Sequence, residues 1–286
     1  MFKIDNELTC RYAQLNVTDL KEMTAYYSDK IGLDVISENE ERIELGITET
    51  KNTLLVLNKT TADRSSLKAG LFHTAFLLPT RKDLGNILFS LLNKGVSVNG
   101  ASDHGYSEAI YLQDPEGNGI EIYRDKPKKE WTINADGTIP GVTEEMDAEG
   151  VLKSRDDQPS DRFPQKTIIG HMHLSVRDLN ASEAFYRNVL GLSLKYQFGS
   201  QARFLAAGQY HHHIGMNTWA GTGLAERTEE DLGLSLFSLN LSSRKTLQSL
   251  TDHLTESGHP FLTEADAVTL TDPNGIHVKV EYTGNE

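Results

Sequence analysis

The feature that most constrains this chain is repetition. The stretch Asn16 to Val35, NVTDLKEMTAYYSDKIGLDV, returns as Ser175 to Leu194, SVRDLNASEAFYRNVLGLSL. Asp19, Leu20, Ala25, Tyr27, Gly32 and Leu33 recur 159 positions later as Asp178, Leu179, Ala184, Tyr186, Gly191 and Leu192. A second pair, RKDLGNILFSLLNKG (Arg81 to Gly95) and RKTLQSLTDHLTESG (Arg244 to Gly258), recurs at a spacing of 163. Self-similarity at one long interval means that a structural unit has been copied, so the fold must be assembled from copies.

Each unit opens with an alternating stretch such as HMHLSV and passes an Asp or Arg-Lys helix start. Apolar residues three and four apart then predict a helix of about three to four turns. Met23, Tyr26, Tyr27 and Ile31 form the core-facing stripe of the first helix. AIYLQDPEGNGIEIY (Ala109 to Tyr123) and AVTLTDPNGIHVKVEY (Ala267 to Tyr282) then read as hairpins turning at Asp-Pro. The unit is βαβββ, present four times, which makes the chain an α+β protein. At 286 residues it is long enough for two domains with their own cores. Residues 8–125 would form an N-terminal domain of two modules and 166–284 a C-terminal domain of two more. Between them, 126–165 is polar, carries Pro127, Pro140, Pro159 and Pro164, and reads as a connection with a short helix near Glu144 to Lys153.

Charge narrows the partners. Lys plus Arg number 28 against 41 Asp plus Glu, a formal net charge of -13 that repels nucleic-acid phosphates and anionic lipid. No apolar run approaches the roughly 20 residues of a membrane helix. The start MFKIDNELTC lacks the pattern of a secretory signal, and Cys10 is the single cysteine, so a cytoplasmic protein without intrachain disulfides is expected. Whether it is a homo-oligomer is left open.

Three of the ten histidines stand together in YHHHIGMN (Tyr210 to Asn217). Side chains alternate between the two faces of a strand. In HMHLSV, Met172, Leu174 and Val176 then form the packed row and His171, His173 and Ser175 the open one. Extending the rule to HHHIGMNT places His211, His213 and Asn217 in a cleft and turns His212 away. In GIHVKVEY, Ile276, Val278 and Val280 pack, leaving His277 and Lys279 facing out. Five histidines of the C-terminal half would share one cleft. Crowded rings should stay neutral at pH 7, because burial and mutual repulsion both lower histidine pKa values.

Four βαβββ units, a histidine opening a strand and DPEGNGIEIY closing a unit together resemble the vicinal oxygen chelate superfamily of glyoxalases, fosfomycin-resistance proteins and extradiol dioxygenases. More narrowly, SEAIYLQDPEGNGIEIYRDKPKKEW, IIGHMHLSV and YHHHIGMNTWAG are similar to the two-domain bacillus-type catechol-2,3-dioxygenase group. The resemblance covers nearly the whole chain. It implies two glyoxalase-like domains of paired modules, with metal ligands drawn from the first and last strands of paired units. The first-strand positions are Tyr12, His73, His171 and Leu236. The last-strand position is Glu121 in the second unit. In the fourth it is His277 when aligned on Asn-Gly-Ile and Lys279 when aligned on Asp-Pro.

His73 and Glu121 fit the ligand pattern, with Gln14 or His104 open as the third ligand. The likeness to two-domain extradiol enzymes instead points to the C-terminal half, with His171 and His277 as ligands. There His213 or His211 would be the acid/base, and His173, Asn217 and Lys279 would contact substrate. The implied activity is extradiol cleavage of a catechol-type aromatic by O2, with Fe(II) as metal and Zn, Mn or Ni as alternatives. Two other readings go with the resemblance: a glyoxalase-like metal-dependent isomerase or transferase, and a non-catalytic resistance protein that binds a small aromatic compound.

Overall fold

The computed structural model describes residues 2–62, 68–221 and 223–284. Four modules follow one another, each a strand, a helix and further strands. The first contains β1 (Thr9–Val17), α1 (Leu20–Ala25), β2 (Asp34–Glu38), β3 (Arg42–Ile47) and β4 (Asn52–Lys59). The second contains β5 (Gly70–Leu78), α2 (Arg81–Asn93), β6 (Gly100–Asp103), β7 (Ser107–Gln113) and β8 (Gly119–Asp125). The connection adds β9 (Glu144–Glu145) and α3 (Ala148–Lys153). The third module contains β10 (Ile168–Ser175), α4 (Leu179–Ala184), β11 (Ser193–Phe198), β12 (Ala202–Ala206) and β13 (Ile214–Asn217). The fourth contains β14 (Gly233–Asn240), α5 (Arg244–Ser257), β15 (Leu262–Glu264), β16 (Ala267–Thr271) and β17 (His277–Glu281). No helix among the described residues is long and apolar enough to cross a membrane.

The repeated residues are those that start, stop and anchor the helices. Asp19 caps α1 by accepting from the Glu22 N–H, and Asp178 caps α4 by accepting from Asn180 and Ala181. Both helices continue into a π-helical run, and the following Gly32 and Gly191 take positive φ, 102° and 78°, where a side chain would be strained. The buried Tyr27 hydroxyl donates to Asp114 at 2.8 Å, and Tyr186 donates to Asp272 at 3.0 Å. Each repeated tyrosine thus ties its helix to the Asp-Pro turn of the next module.

The strands pair differently. An eight-stranded sheet runs β15-β16-β17-β14-β1-β4-β3-β2, and a nine-stranded sheet runs β11-β12-β13-β10-β5-β8-β7-β6-β9. The first sheet therefore joins modules one and four through β1 and β14, and the second joins modules two and three through β5 and β10, both antiparallel. Each half of the sequence gives one module to each sheet, so the clefts form between halves and not within them. One continuous apolar core includes the fully buried Leu15, Phe76, Leu174 and Phe237 from the four first strands. Burying such side chains contributes about 1.5–3 kcal/mol each.

The connection is more than a tether. The helix expected near Glu144 to Lys153 begins only at Ala148, where the Asp147 side chain caps it, while Glu144 and Glu145 pair with β6 at the sheet edge. Trp131 and Ile139 from the connection pack with Tyr106 and Tyr210, fastening it across modules two and three.

Candidate metal centre

Alternation along β10 holds as read from sequence: Met172 and Leu174 enter the core, and His171 and His173 face the other way. Register then decides what they meet. Across the nine-stranded sheet, Tyr111, Glu121, Ala75 and His171 lie in one row, since each is the cross-strand partner of the next. His73 pairs with His173 one row away. Because Ala75 has only a methyl group, the longer side chains of Glu121 and His171 reach toward each other over it, and His73 closes in from the adjacent row. His73 Nε2 lies 2.9 Å and His171 Nε2 3.2 Å from Glu121 Oε2, and the two ring nitrogens are 3.3 Å apart.

All three side chains are buried, and their ligand atoms lie within 4.8 Å of one another. Two imidazole nitrogens and a carboxylate oxygen converging in buried surroundings are satisfied by a shared proton or cation. Burial pushes His171 down to about 4, partly offset by Glu121, which favours the neutral ring a metal needs. Burial alone would raise Glu121, but His171 and His73 outweigh it and hold the carboxyl well below its usual range. The donor set fits a divalent metal: two nitrogens and one carboxylate, with open positions remaining. These residues are a candidate divalent-metal ligand set, drawn from both halves of the sequence.

The triad opens into a cavity of about 540 Å³. Phe72, Phe204 and Trp219 give it an aromatic wall beside His173, with the Phe72 and Trp219 rings 5.1 Å apart. His173 lines this wall as expected. Asn217 does not line the cavity; its Nδ2 lies 3.1 Å from His173 Nε2 and donates to it, fixing the proton of His173 on Nδ1. Gly215 is needed alongside, because a Cβ there would stand 3.0 Å from the His173 ring.

The three adjacent histidines are turned opposite to the expected order. His212 lines the cavity, its ring 4.1 Å from that of His171. His213 faces away toward a second cavity of about 470 Å³ that also meets Cys10, and its Nδ1 accepts from the Ala207 N–H. His211 sits buried behind His212. The cause is local: β13 begins only at Ile214, so residues 211–213 lie in bends to which strand alternation does not apply. Neutral rings are the expected state for His173, His212 and His213. Burial first, then neighbouring histidines, holds His173 and His212 well below the ordinary value and pushes His213 down to about 3.

His277 and Lys279 belong to β17 in the other sheet and do not reach the triad. His277 Nε2 contacts Glu229 at 3.2 Å, and Lys279 Nζ contacts Glu264 at 2.7 Å. A cleft filled from the C-terminal half alone therefore does not form, because modules three and four lie in different sheets. Gln14, in β1, is likewise remote and bonds Arg42 and Ser235.

His104 is no ligand either. Its Nδ1 is 2.8 Å from the Val142 carbonyl and must carry the proton, so Nε2 accepts from the Tyr111 hydroxyl at 2.6 Å. Tyr111 and the connection's Val142 line the cavity and were not singled out in the sequence, and His212, read there as turned away, lines it too. Tyr111 had a usable signal, standing ten residues before Glu121 across the Asp-Pro hairpin.

Fold and triad together define a metal-centre protein built from duplicated βαβββ modules. The Glyoxalase/Bleomycin resistance protein/Dioxygenase superfamily model matches residues 9–122 and 168–280, and the chain belongs to that superfamily. It is an enzyme of that group, 35% identical over 279 residues to a catechol-2,3-dioxygenase of Bacillus subtilis, a match covering 96% of each chain. A biphenyl-2,3-diol 1,2-dioxygenase of Rhodococcus globerulus is 31% identical over 114 residues, covering 39% of this chain and 60% of that one. Among solved structures, a putative dioxygenase from Bacillus subtilis superposes with a TM-score of 0.65 at 13% identity, covering 99% of this chain and 87% of that one. Glyoxalase I from Zea mays gives 0.57 at 16% identity, covering 96% and 92%. At these identities the two structures speak for the fold alone.

Proposed function

We propose that the chain is an extradiol ring-cleaving dioxygenase acting on a catechol-type substrate with Fe(II). The observation that carries this reading is the buried His73, Glu121 and His171 set opening onto an aromatic-walled cavity. The 35% identical catechol-2,3-dioxygenase supports it. Fe(II) held by these three residues would supply neighbouring open positions for the two catechol oxygens and O2.

The chain's own residues do the rest. Phe72, Phe204 and Trp219 pack against the faces and edge of the aromatic ring and exclude water. His212, beside His171 and facing the cavity, takes the hydroxyl proton as the substrate binds and returns it during ring opening. Tyr111 directs its hydroxyl proton to His104, so its oxygen lone pairs remain for a substrate hydroxyl. A resistance protein that only sequesters its ligand is expected to have an incomplete ligand set, and here the set is complete.

The test is anaerobic reconstitution with Fe(II), followed by oxygen uptake and absorbance on a series of catechols. One O2 consumed per yellow ring-fission product is expected. No uptake across the series, or activity with Zn or Ni on a non-catechol substrate, would transfer the site to glyoxalase-like chemistry.

A further inference from the structure

Behind the cavity, His212, His211 and Asp125 form a chain of hydrogen bonds that starts at the site and ends near solvent. His211 Nε2 lies 3.0 Å from Asp125 Oδ1, and His211 Nδ1 lies 2.8 Å from His212 Nδ1. The His211 ring is only 1% exposed and is stacked on Tyr106 at 4.3 Å with an interplanar angle of 9°, so it is held in place. The Asp125 side chain is 22% exposed. The three residues come from the end of β8 and the bend before β13, thus from modules two and three.

Geometry assigns the protons. A carboxylate only accepts, so His211 Nε2 carries hydrogen toward Asp125. With one proton on the ring, His211 Nδ1 is then an acceptor, and the bond from His212 is a donation from its Nδ1. That leaves His212 Nε2 unprotonated; it makes no hydrogen bond among the described residues, and the residue lines the cavity. Without the strut, the ring would be free to flip or change tautomer, and a proton on Nε2 would remove the acceptor from the cavity.

We infer that Asp125 and His211 are positioning residues that hold His212 in its Nδ1–H form with Nε2 presented to the cavity. This rests on the reading of His212 as the group that takes the substrate proton. The arrangement parallels the carboxylate that orients a histidine in a Ser-His-Asp triad, here extended by one ring.

Two measurements separate this inference from that reading. Long-range 1H–15N correlation spectra of the Zn-loaded, 15N-histidine-labelled protein report tautomers without turnover, with His212→Gln identifying the signal. The Nδ1–H pattern is expected for His212 in the parent, and an Nε2–H or averaged pattern in His211→Phe. An Nε2–H pattern in the parent, as a cationic His211 would impose, overturns the inference even if the enzyme cleaves catechols. In the Fe(II) enzyme, Asp125→Asn and His211→Phe should each lower kcat about 10- to 100-fold, the range for losing a partner that orients a functional histidine. KM and bound metal should stay unchanged, and Asp125→Glu should recover part of the loss. The double variant should be no slower than His211→Phe, because both act through one chain. Losses that multiply, or that follow lost metal, overturn it.

Discussion

Tyr111, Glu121, Ala75 and His171 make one row of the nine-stranded sheet, and the corresponding row of the eight-stranded sheet reads Thr269, Lys279 and Ser238, with Tyr12 in the irregular stretch of β1 opposite. Leu236 stands where His73 does, two residues before Ser238. The register also settles the two alignments of the last strand: Thr271 pairs with His277 as Gln113 pairs with Gly119, so Lys279 is the counterpart of Glu121. The eight-stranded sheet neutralises its charges within itself. The Ser238 hydroxyl donates to Glu281, Arg11 pairs with Glu281 at 2.9 Å, and Lys279 pairs with Glu264. The nine-stranded sheet faces a buried carboxylate with two imidazoles, a set that a divalent metal would fit. Copying preserved the scaffold, while the chemistry depends on three side chains around one small residue.

The largest expected effect tests that contrast directly. His171→Ala removes one of two nitrogens and should lose bound iron and more than about 100-fold in turnover, beyond the 10–100-fold typical of outer-shell partners. Lys279→Ala at the counterpart of Glu121 should keep full metal and activity. Elemental analysis and oxygen uptake on both variants decide it; metal lost from Lys279→Ala, or kept in His171→Ala, would break the comparison.

Fold was legible because repetition and period-two alternation are local signals. Asp19 and Asp178, Tyr27 and Tyr186, and Gly32 and Gly191 announce their caps, anchors and stops in the sequence itself. His73, Glu121 and His171 were each visible as ligand candidates, yet their meeting was not. It depends on β5 pairing with β10, residues about 100 apart, and nothing in either strand states that module two prefers module three. The orientation of His211, His212 and His213 was misread for a smaller reason: strand alternation was extended three residues beyond where β13 starts. Ala75 carried no signal at all, since its role is to leave room.

What the two halves share should respond alike. Tyr27→Phe and Tyr186→Phe each delete a buried hydroxyl donating to a buried carboxyl, and each should cost about 1–3 kcal/mol in urea unfolding. The two losses should add, because the sites lie in separate module pairs. Burial raises both Asp114 and Asp272, against the hydrogen bonds they accept. A carboxyl whose folded pKa is raised binds its proton more tightly when folded. Its contribution is therefore fully present below the ordinary 3.8 and is lost as pH rises through the folded value. Asp114→Asn should remove its part of that decline. Unequal costs for the two tyrosines would mean that the copies have diverged structurally as well as chemically.

The smallest expected effect comes from moving the carboxylate alone. Lys279→Glu places an acid at the counterpart of Glu121, but Leu236 and Tyr12 offer no nitrogen there, and Ser238 is already engaged by Glu281. The added carboxylate would meet the carboxylates of Glu264 and Glu281 and no converging imidazole, so the variant should bind the same amount of iron as the parent. Its stability should change by less than about 1 kcal/mol, since it exchanges a partly exposed ion pair with Glu264 for a repulsion that solvent around Glu264 screens. Titration with Fe(II) under anaerobic conditions measures this. A second equivalent of bound metal would show that the eight-stranded sheet needs only a charge reversal to become a site, and that the two rings count for less than the comparison assigns them.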